Sequence, residues 1–328
     1  MTPVKTSPKI TVVGSYATGL TMKVERLPSR GETLLGTGYR VDFGGKGSNQ
    51  AVACARLGAS VRFVAKIGED SFGESALTLY REEHVDVTHV QQVAGAPTGV
   101  GFIVVEAASG NNSIVIDPGA NDLLTGVNVA DAKDAFDSSA VVLTQLEIPV
   151  GAAEAAMAQG RAHAAITILN PAPVRPLPPS VLQFVDILTP NAIEAKVLAG
   201  LAPDADVPPE VVARELIHRG VKQVVMTLGE KGALIVSESS AIHIPAIQVE
   251  AVDTTGAGDA FNAGLAMALA CGETLENAVR FAVVTGGLAV RKEGVIPSLP
   301  TRAEVLTFFR QGSTPPPRWI LTPAGDRS

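Results

Sequence analysis

Short apolar runs alternate with helical patterns along most of the chain. The runs end at glycine or polar residues and predict buried strands over residues 10–13, 61–67, 140–145, 165–169, 187–188 and 223–227. Segments with a small-residue or amphipathic face predict helices over residues 49–58, 151–159, 191–199, 209–219, 260–270 and 275–291. This alternation is typical of right-handed βαβ units, so we expect an α/β fold with a mostly parallel sheet.

Two segments depart from that rhythm. Residues 21–43 and 98–116 alternate polar and apolar positions, with glycine turns between them, as exposed antiparallel strands do. GVGFIVVE and NNSIVID are expected to be neighbouring strands. We interpret both segments as one accessory sheet, which covers a site or pairs with another subunit. The segment 311–328 contains Pro315, Pro316 and Pro317 and is predicted to be a mobile tail.

Composition narrows the class of protein. The 328 residues are 46% hydrophobic, which is enough for one large domain with a sizeable core. A formal net charge of −7 argues against nucleic acid or an anionic membrane as the main partner. Cys54 and Cys271 form no CxxC pair, so we expect free thiols in a reducing compartment. No signal peptide or membrane-spanning run is recognised, and we expect a soluble cytoplasmic protein.

The stretch VDTTGAGDAFNAG, residues 252–264, leads into a predicted helix. The Gly-Ala-Gly at 256–258 would form a small anion hole from the free amides of the helix N-terminus. Asp259 lies in the first turn, where a carboxylate can simply cap the helix, although Asp253 and Thr254 are equally available for that. An additional acid beside an anion site is suited to take a proton from an attacking hydroxyl as a general base.

The stretch GGKGSNQA, residues 44–51, has two open interpretations. Its glycines allow backbone to approach a ligand closely, and Lys46 and Asn49 supply polar groups beside them. A turn followed by a helix cap explains the glycines equally well. The stretch lacks the spacing of a Walker loop, and no GxGxxG follows a strand in this chain.

Weaker signals follow in three other places. In TPNAIEA, Asn191 and Glu194 could form a capping box or support a phosphate and hydrated Mg²⁺. MTLGEKGA, residues 226–233, is a strand that enters a glycine turn and suits a nucleotide. Glu147 follows a strand at the carboxyl edge, where open α/β sheets bind ligands. None of the five histidines has a metal-ligand or triad spacing, so zinc and Ser-His-Asp chemistry are not indicated.

At this point a family resemblance becomes clear. GGKGSNQAVACARLG and DTTGAGDAFNAG closely resemble the two signature stretches of the ribokinase, or phosphofructokinase-B-type, family of ATP-dependent carbohydrate kinases. NNSIVIDPGAND, QLEIP, NPAP, TPNAIEA, TLGEKGA and AVRKEGVIPSLPTRAEV follow the family in order, so the similarity spans roughly residues 10–309. The resemblance implies a three-layer α/β/α sandwich with a small β-sheet lid, formed here by about residues 18–43 and 97–116. It also implies one kinase domain over residues 1–310 and a homodimer that pairs through the lids.

The resemblance further implies roles for individual residues by motif match. The base on the sugar's primary hydroxyl would be Asp259, and the anion hole would be Gly256, Ala257 and Gly258. The sugar would contact Gly45, Lys46, Asn49, Glu147 and Asp259. The ATP site would be lined by Asn191, Thr227, Gly229, Gly232, Gly258 and Val283. Mg²⁺ would lie near Glu194 through water. A monovalent cation, K⁺, would be held mostly by backbone carbonyls of Asp253, Thr255, Ala289, Lys292, Gly294 and Ser298.

One stretch departs from the family pattern. Ribokinases carry Asn-x-Asp after the first strand, and the aspartate accepts hydrogen bonds from two sugar hydroxyls. In GSYATG, residues 14–19, Ala17 takes the place of the asparagine and Gly19 that of the aspartate. Losing a charged hydrogen bond costs roughly 1.5–3 kcal/mol, or about one to two decades of affinity. Gly19 also leaves room for a bulkier substrate.

Three functional hypotheses follow. The first is an ATP-dependent kinase for the primary hydroxyl of a sugar, with ribose to ribose 5-phosphate as the family default. The second keeps this chemistry but uses another acceptor, such as a nucleoside, a different sugar or a sugar acid, because of Ala17 and Gly19. The third is a sugar-binding protein that no longer catalyses, which the retention of Asp259 and its anion hole argues against.

Overall fold

The central sheet of the computed structural model has nine strands, and the structure describes residues 7–312 and 316–321. In chain order, the strands of these residues are β1 (Lys9–Val13), β2 (Ala17–Val24), β3 (Thr37–Gly44), β4 (Ser60–Gly68), β5 (Asp86–Val93), β6 (Val100–Glu106), β7 (Asn112–Asp117), β8 (Val141–Thr144), β9 (Ile166–Leu169), β10 (Ile187–Leu188), β11 (Gln223–Thr227), β12 (Ala233–Val236) and β13 (Ala241–Ile244). The central sheet has the order β13-β12-β11-β10-β9-β8-β1-β4-β5. All its neighbours from β11 to β5 pair in parallel, and β12 and β13 complete one edge as antiparallel strands.

Helices cover both faces of this sheet. Over the described residues they are α1 (Lys46–Leu57), α2 (Ser71–Glu82), α3 (Gly126–Asp131), α4 (Val150–Ala162), α5 (Pro179–Leu182), α6 (Ala192–Leu198), α7 (Pro209–His218), α8 (Ala257–Ala270), α9 (Leu275–Ala289), α10 (Val295–Ser298) and α11 (Arg302–Gln311). One buried apolar cluster joins the sheet to α1, α2, α8, α9 and α11, and a second joins it to α3–α7. The molecule is therefore the expected three-layer α/β/α sandwich, whose strands are apolar on both faces because both are covered.

Small residues bring α1 and α8 close together. Ala51, Ala53 and Cys54 of α1 are buried, and the Cys54 thiol lies 3.9 Å from the carbonyl oxygen of Ala263 on α8. On its other side, α8 packs so tightly against α9 that a Cβ on Gly264 would lie 2.2 Å from the nearest α9 side-chain atom. The same close packing sets the first turn of α1 beside the first turn of α8.

The predicted elements are present, with bounds that shift by at most three residues. The apolar pattern missed α2, α11, β5 and the antiparallel edge formed by β12 and β13. These elements lie toward the periphery. β5, for example, reads DVTHVQQV and is half exposed at the sheet edge, so it lacks the continuous apolar run that identifies a buried strand.

A separate four-stranded sheet, which we call the lid, has the order β3-β2-β6-β7. It combines the two segments that the sequence singled out, and β6 and β7 are neighbours as expected. The expectation of purely antiparallel strands is wrong for β2 and β6, which pair in parallel. β2 follows β1 and β6 follows β5, and β1 and β5 run in the same direction in the central sheet. Both connections therefore enter the lid from the same edge.

The predicted C-terminal tail contains a packed turn. Arg318–Leu321 forms a 3-10 turn in which Ile320 is buried and the Trp319 ring meets Phe281 edge to face at 5.0 Å. The Arg302 guanidinium donates hydrogen bonds to the carbonyls of this turn. The sequence did not predict this docking. The rest of the predicted tail beyond Gly312, residues 313–315 and 322–328, lies outside the described residues. No described helix has the length and apolar character needed to cross a membrane.

Candidate functional site

Polar residues collect at the carboxyl edge of the central sheet. Ser15 follows β1, Gln145 and Glu147 follow β8, Asn170 follows β9 and Thr189 follows β10. Parallel strands end at one edge, so the topology brings these side chains together. The N-termini of α1 and α8 face the same edge, because the first turn of α1 bonds both to Asp259 of α8 and to Glu147.

Asp259 lies in the first turn of α8 and is only 5% exposed. Its carboxylate accepts hydrogen bonds from Asn49 Nδ2 at 2.8 Å and from Gln50 Nε2 at 2.9 Å. The described structure gives it no backbone cap bond, so the capping interpretation does not hold in this geometry. Burial raises the pKa of Asp259, while the Lys46 ammonium and the two amide donors oppose the rise.

Among the residues that the structure describes, no side chain caps the N-terminus of α8. The N-cap residue is Gly256, with a φ of 81°, and no side-chain hydrogen bond is made there among the described residues. A Cβ on Gly256 would lie 2.8 Å from Val295 Cγ1, so glycine is required for both conformation and space. The Ala257 amide makes a 3.3 Å hydrogen bond to the Thr254 carbonyl, and the space beside Gly258 is open. The helix end therefore offers amide groups and positive potential to an anion.

The N-terminus of α1 forms the facing wall. Gly45, with a φ of 86°, is the N-cap, and a Cβ there would lie 2.6 Å from Tyr16 Cα. The Glu147 carboxylate accepts hydrogen bonds from Ser15 Oγ at 2.6 Å and from the Lys46 amide at 2.7 Å. Burial would lower the pKa of the Lys46 ammonium, but the negative charges of Asp259, Glu147 and Glu194 outweigh it and raise the pKa. Lys46 is thus held charged between carboxylates.

The Asn191 segment forms the next part of the edge. Asn191 and Glu194 form a complete capping box on α6, with both hydrogen bonds at 2.8 Å. Asn191 pairs with Thr227 in a parallel β-bridge, and Gly229 and Gly232 shape the turn after β11 with φ angles of 60° and 92°. Burial raises the pKa of Glu194. Val283 is buried in α9. The capping box, one of the two interpretations of Asn191 and Glu194, is therefore present.

The loop before α8 is bonded to the segment before α10. Asp253 accepts hydrogen bonds from the Thr255 amide at 2.9 Å and the Gly294 amide at 3.0 Å. Burial would raise the pKa of Asp253, but these bonds and the Arg40 charge lower it. The Lys292 ammonium pairs with Glu304 at 2.5 Å. Because an ammonium has no acceptor atom, Lys292 could ligate a cation only through its backbone carbonyl.

Two further residues of the predicted cation site lie at the ends of helices α9 and α10. Ala289 ends α9 and is buried, and Ser298 ends α10 with its hydroxyl donating to the Val295 carbonyl at 2.8 Å. Asp253 and Gly294 thus draw together the two segments that the sequence assigned to one cation site. In the described part of the chain, no three His, Cys, Asp or Glu side chains converge on one point. A Mg²⁺ ion here would therefore rely on few protein ligands, in keeping with its preference for water and phosphate.

Sequence reasoning missed a buried network behind Asp259. Gln145 donates to Gln50, and Gln50 donates to both Asp259 and, at 3.2 Å, Asn170. Asn170 in turn donates to the Thr189 carbonyl at 3.0 Å. From Thr189 the network continues through Asn262 to the Gly258 carbonyl. The available signal was a polar residue directly after each apolar strand run.

Asn121, also missed, fixes the connection between β1 and β2. Its side-chain oxygen accepts from the Tyr16 amide at 2.9 Å, and its side-chain nitrogen donates to the Tyr16 carbonyl at 2.7 Å. This clamp holds Ser15 beside Glu147 at the point where the chain enters the lid.

A large groove of about 760 Å³ lies at the opposite edge of the central sheet. Its charged side chains include Arg161, Lys222 and Asp186, and both cations pair with Asp186, at 2.7 and 2.6 Å. Neither the Asp259 network nor either glycine-rich helix start reaches it. The convergent polar groups therefore favour the carboxyl edge as the site.

Comparison with known proteins agrees with this geometry. Residues 7–302 match the model of the pfkB family carbohydrate kinases. The chain is 39% identical over 301 residues to the ribokinase of Haemophilus influenzae, covering 92% of this chain and 98% of that protein. It is 34% identical over 293 residues to the deoxyribokinase of Salmonella typhi, covering 89% and 95%. The structure of Arabidopsis thaliana ribokinase complexed with ribose and ATP has a TM-score of 0.87 and 32% identity, covering 93% and 99%.

The family match spans nearly the whole chain, and the fold matches that of a ribokinase over almost all of both chains. The resemblance read from the glycine-rich stretches is thereby confirmed. The chain belongs to the pfkB family of carbohydrate kinases, as a ribokinase-type phosphotransferase that acts on an alcohol group.

Proposed function

We propose that this protein transfers the γ-phosphate of ATP to the primary hydroxyl of a sugar, with Asp259 as the general base. The observation that carries the proposal is a buried carboxylate in the first turn of a helix that no side chain caps within residues 7–312 and 316–321. Such a helix end binds an anion, and an acid beside it suits proton removal rather than anion binding.

In the proposed step, the acceptor hydroxyl attacks the γ-phosphorus, and the bond from that phosphorus to the bridging oxygen of ADP breaks. Asp259 takes the hydroxyl proton. The amides of Gly256, Ala257 and Gly258 stabilise the charge that develops on the transferred group. Asn49 and Gln50 hold the Asp259 carboxylate in place through their 2.8 and 2.9 Å hydrogen bonds.

For the phosphate donor, ATP is favoured by the Arabidopsis ribokinase, whose structure contains ribose and ATP. We place the nucleotide along Asn191, Thr227, Gly229, Gly232 and Val283. Mg²⁺ would sit on the phosphates and supply charge neutralisation, with Glu194 reaching it through water. A K⁺ ion would bind the carbonyls around Asp253, Thr255, Ala289, Lys292, Gly294 and Ser298, and would act on the anion hole from behind.

For the acceptor, Gly45, Lys46, Asn49 and Glu147 line the space in front of Asp259. Asn49 Oδ1 is buried and has no hydrogen-bond partner among residues 7–312 and 316–321, so it is available to a sugar hydroxyl. Ribose is the default because the Haemophilus relative is a ribokinase. A different acceptor is favoured because Ala17 and Gly19 stand where ribokinases carry asparagine and aspartate. One relative of this chain, at a sequence identity similar to that of the ribokinases, is named for a different sugar, as a deoxyribokinase.

The outer face of the lid supports a homodimer. This surface, the outer lid face, is apolar and exposed, and it consists of Met22, Tyr39, Val41, Phe43, Phe102 and Val115. An exposed apolar sheet face of this kind marks an association surface. We propose that the outer lid faces of two copies pair with each other.

The test is ADP release with Mg²⁺, K⁺ and a panel of acceptors: ribose, 2-deoxyribose, hexoses, nucleosides and sugar acids. We expect acceptor-dependent ADP release, and the acceptor with the highest kcat/KM identifies the substrate class. Clear preference for ribose would defeat the alternative acceptors. Absence of ADP release with every acceptor, from protein that still binds ATP, would favour a sugar-binding protein without catalysis.

A further inference from the structure

We propose that Asp42, on lid strand β3, is a specificity-determining residue whose carboxylate accepts hydrogen bonds from hydroxyl groups of the acceptor. It would do so in the space that Gly19 leaves open on the neighbouring strand. The inference rests on the proposed function and names a further residue and a substrate class for the same site. That class is a neutral polyol with at least two free hydroxyls besides the one that is phosphorylated.

The register of the lid places Asp42 directly opposite Gly19. These residues are partners in the antiparallel pairing of β2 and β3, so their side chains point to the same face. A Cβ on Gly19 would lie 3.8 Å from Asp42 Cβ, in ordinary contact with it. Gly19 therefore leaves room for a Cβ against Asp42 without a clash. We call this surface the inner lid face; it includes Gly19, Arg40, Asp42, Gly101 and Ile103, and at its β7 edge Ile114 and Ile116.

Contacts of Arg40 show that the inner lid face is turned toward the candidate site. Arg40 Nη1 lies 2.9 Å from Glu293 Oε1. Glu293 directly precedes Gly294, whose amide binds Asp253 in the loop before α8. The outer lid face points the opposite way and is exposed. Asp42 thus lies on the side of the lid that overlooks the loop leading to Asp259.

The Asp42 carboxylate is held in place but retains a free acceptor. Its Oδ2 atom accepts from Arg40 Nε at 2.5 Å, whereas Oδ1 has no partner in the part of the chain that the structure describes. The side chain keeps 27% of its surface exposed, so a ligand can reach it. A carboxylate oxygen fixed by an arginine is a strong acceptor for hydroxyl donors.

Charge decides which acceptor class fits. Arg40 is bracketed by two carboxylates, Asp42 at 2.5 Å and Glu293 at 2.9 Å, so the three groups together carry an excess negative charge. A sugar acid would be repelled from this place, whereas a hydroxyl donor would be attracted. The inner lid face therefore favours neutral polyols over acidic sugars.

The first experiment measures steady-state kinetics of Asp42→Asn with the panel acceptor that gives the wild type its highest kcat/KM. We expect the KM for that acceptor to rise about 10- to 100-fold, the loss associated with one charged hydrogen bond. The KM for ATP should stay within about twofold. Glu25→Gln removes an exposed carboxylate directly after lid strand β2 and serves as the control, with wild-type values expected.

The second experiment moves the carboxylate across the strand pair. Gly19 has a φ that side chains adopt, and its nearest neighbours would lie 3.7 Å from an added Cβ. Asp42→Ala should lose acceptor affinity, and Gly19→Asp in that background should restore at least about tenfold in kcat/KM. Gly19→Asp alone should not improve the enzyme, because it places two carboxylates side by side.

An unchanged acceptor KM in Asp42→Asn would overturn the inference while the wild type remains an active kinase. Failure of Gly19→Asp to restore Asp42→Ala, with melting temperatures equal to the wild type, would overturn it too, since Asp42 would then act only by tethering Arg40. Absence of ADP release in the wild type would instead refute the proposed function itself.

Discussion

The carboxyl edge of the central sheet and the inner lid face, which we propose contribute to the same site, are built differently. At the edge, Asp259 is buried, and one of its two side-chain donors, Gln50, belongs to a network that links the first turn of α1 to the ends of β8 and β9. On the lid, Asp42 is partly exposed, and Gly19 opposite it has no side chain. A buried network resists substitution because each unpaired group costs free energy, whereas an exposed strand tolerates it. The phosphoryl-transfer part can thus be retained while the acceptor-selecting part changes.

The largest effect is expected at Asp259, which is the more deeply buried of the two carboxylates. Asp259→Asn should lower kcat by about 10²- to 10⁴-fold, the usual contribution of a general base. The KM for ATP should change little, because the amide groups of α8 remain. Kinetics with the best panel acceptor provide the measurement, and Asp131→Asn, an exposed acid on α3, is the control. Turnover close to wild type in Asp259→Asn would rule out its role as the base.

The same substitution should change how stability depends on pH. Burial raises the pKa of Asp259 above its value in the unfolded chain, so the stability that this carboxyl contributes is fully present below the unfolded pKa and is lost as pH rises through the folded pKa. The asparagine does not titrate, but its NH2 group would face one of the two amide donors, Asn49 or Gln50, which costs free energy at every pH. The melting temperature of Asp259→Asn relative to wild type should therefore fall as the pH is lowered from 7.5 towards the pKa of the carboxyl. A difference that stays constant or rises as the pH falls would contradict this account.

An intermediate effect is expected on the outer lid face. Val115→Asp puts a charge on an apolar side chain that is 70% exposed, where a partner lid would bury it. The dissociation constant of the proposed dimer should rise about 10- to 100-fold, because an unpaired charge is costly to desolvate. Light scattering across a dilution series measures this. Val127→Asp, at a valine of α3 that is 67% exposed, is the matched control. Equal dimer populations in both variants would exclude the lid as the interface.

The smallest effect is expected from the K⁺ ion that we propose to bind behind the N-terminus of α8. Replacing K⁺ by Na⁺ should lower kcat about fivefold, which corresponds to a change of roughly 1 kcal/mol in the field at the helix N-terminus. Initial rates at constant ionic strength test this prediction, and identical rates in both salts would argue against a K⁺ site at Asp253.

Much of the central sheet could be predicted because buried parallel strands carry continuous apolar runs. The glycine-rich stretches before α1 and α8 were also visible, since positive φ angles at Gly45 and Gly256 require glycine. The edge elements β5 and β13 were missed because they are partly exposed and lack that signal. The packed turn around Trp319 and Ile320 was missed because its proline-rich surroundings indicated a mobile tail.

The sequence by itself determined the α/β class, the resemblance to sugar kinases and the positions of Asp259 and its glycine-rich loop. These features depend on local periodicity and on short motifs, which a linear chain displays. Only the tertiary structure decided that Gln50, Asn170 and Thr189 form one network around Asp259, and that Asp42 lies opposite Gly19. Residues 42 and 19 are far apart along the chain, and the register of two strands, set by packing and backbone hydrogen bonds, is what makes them neighbours.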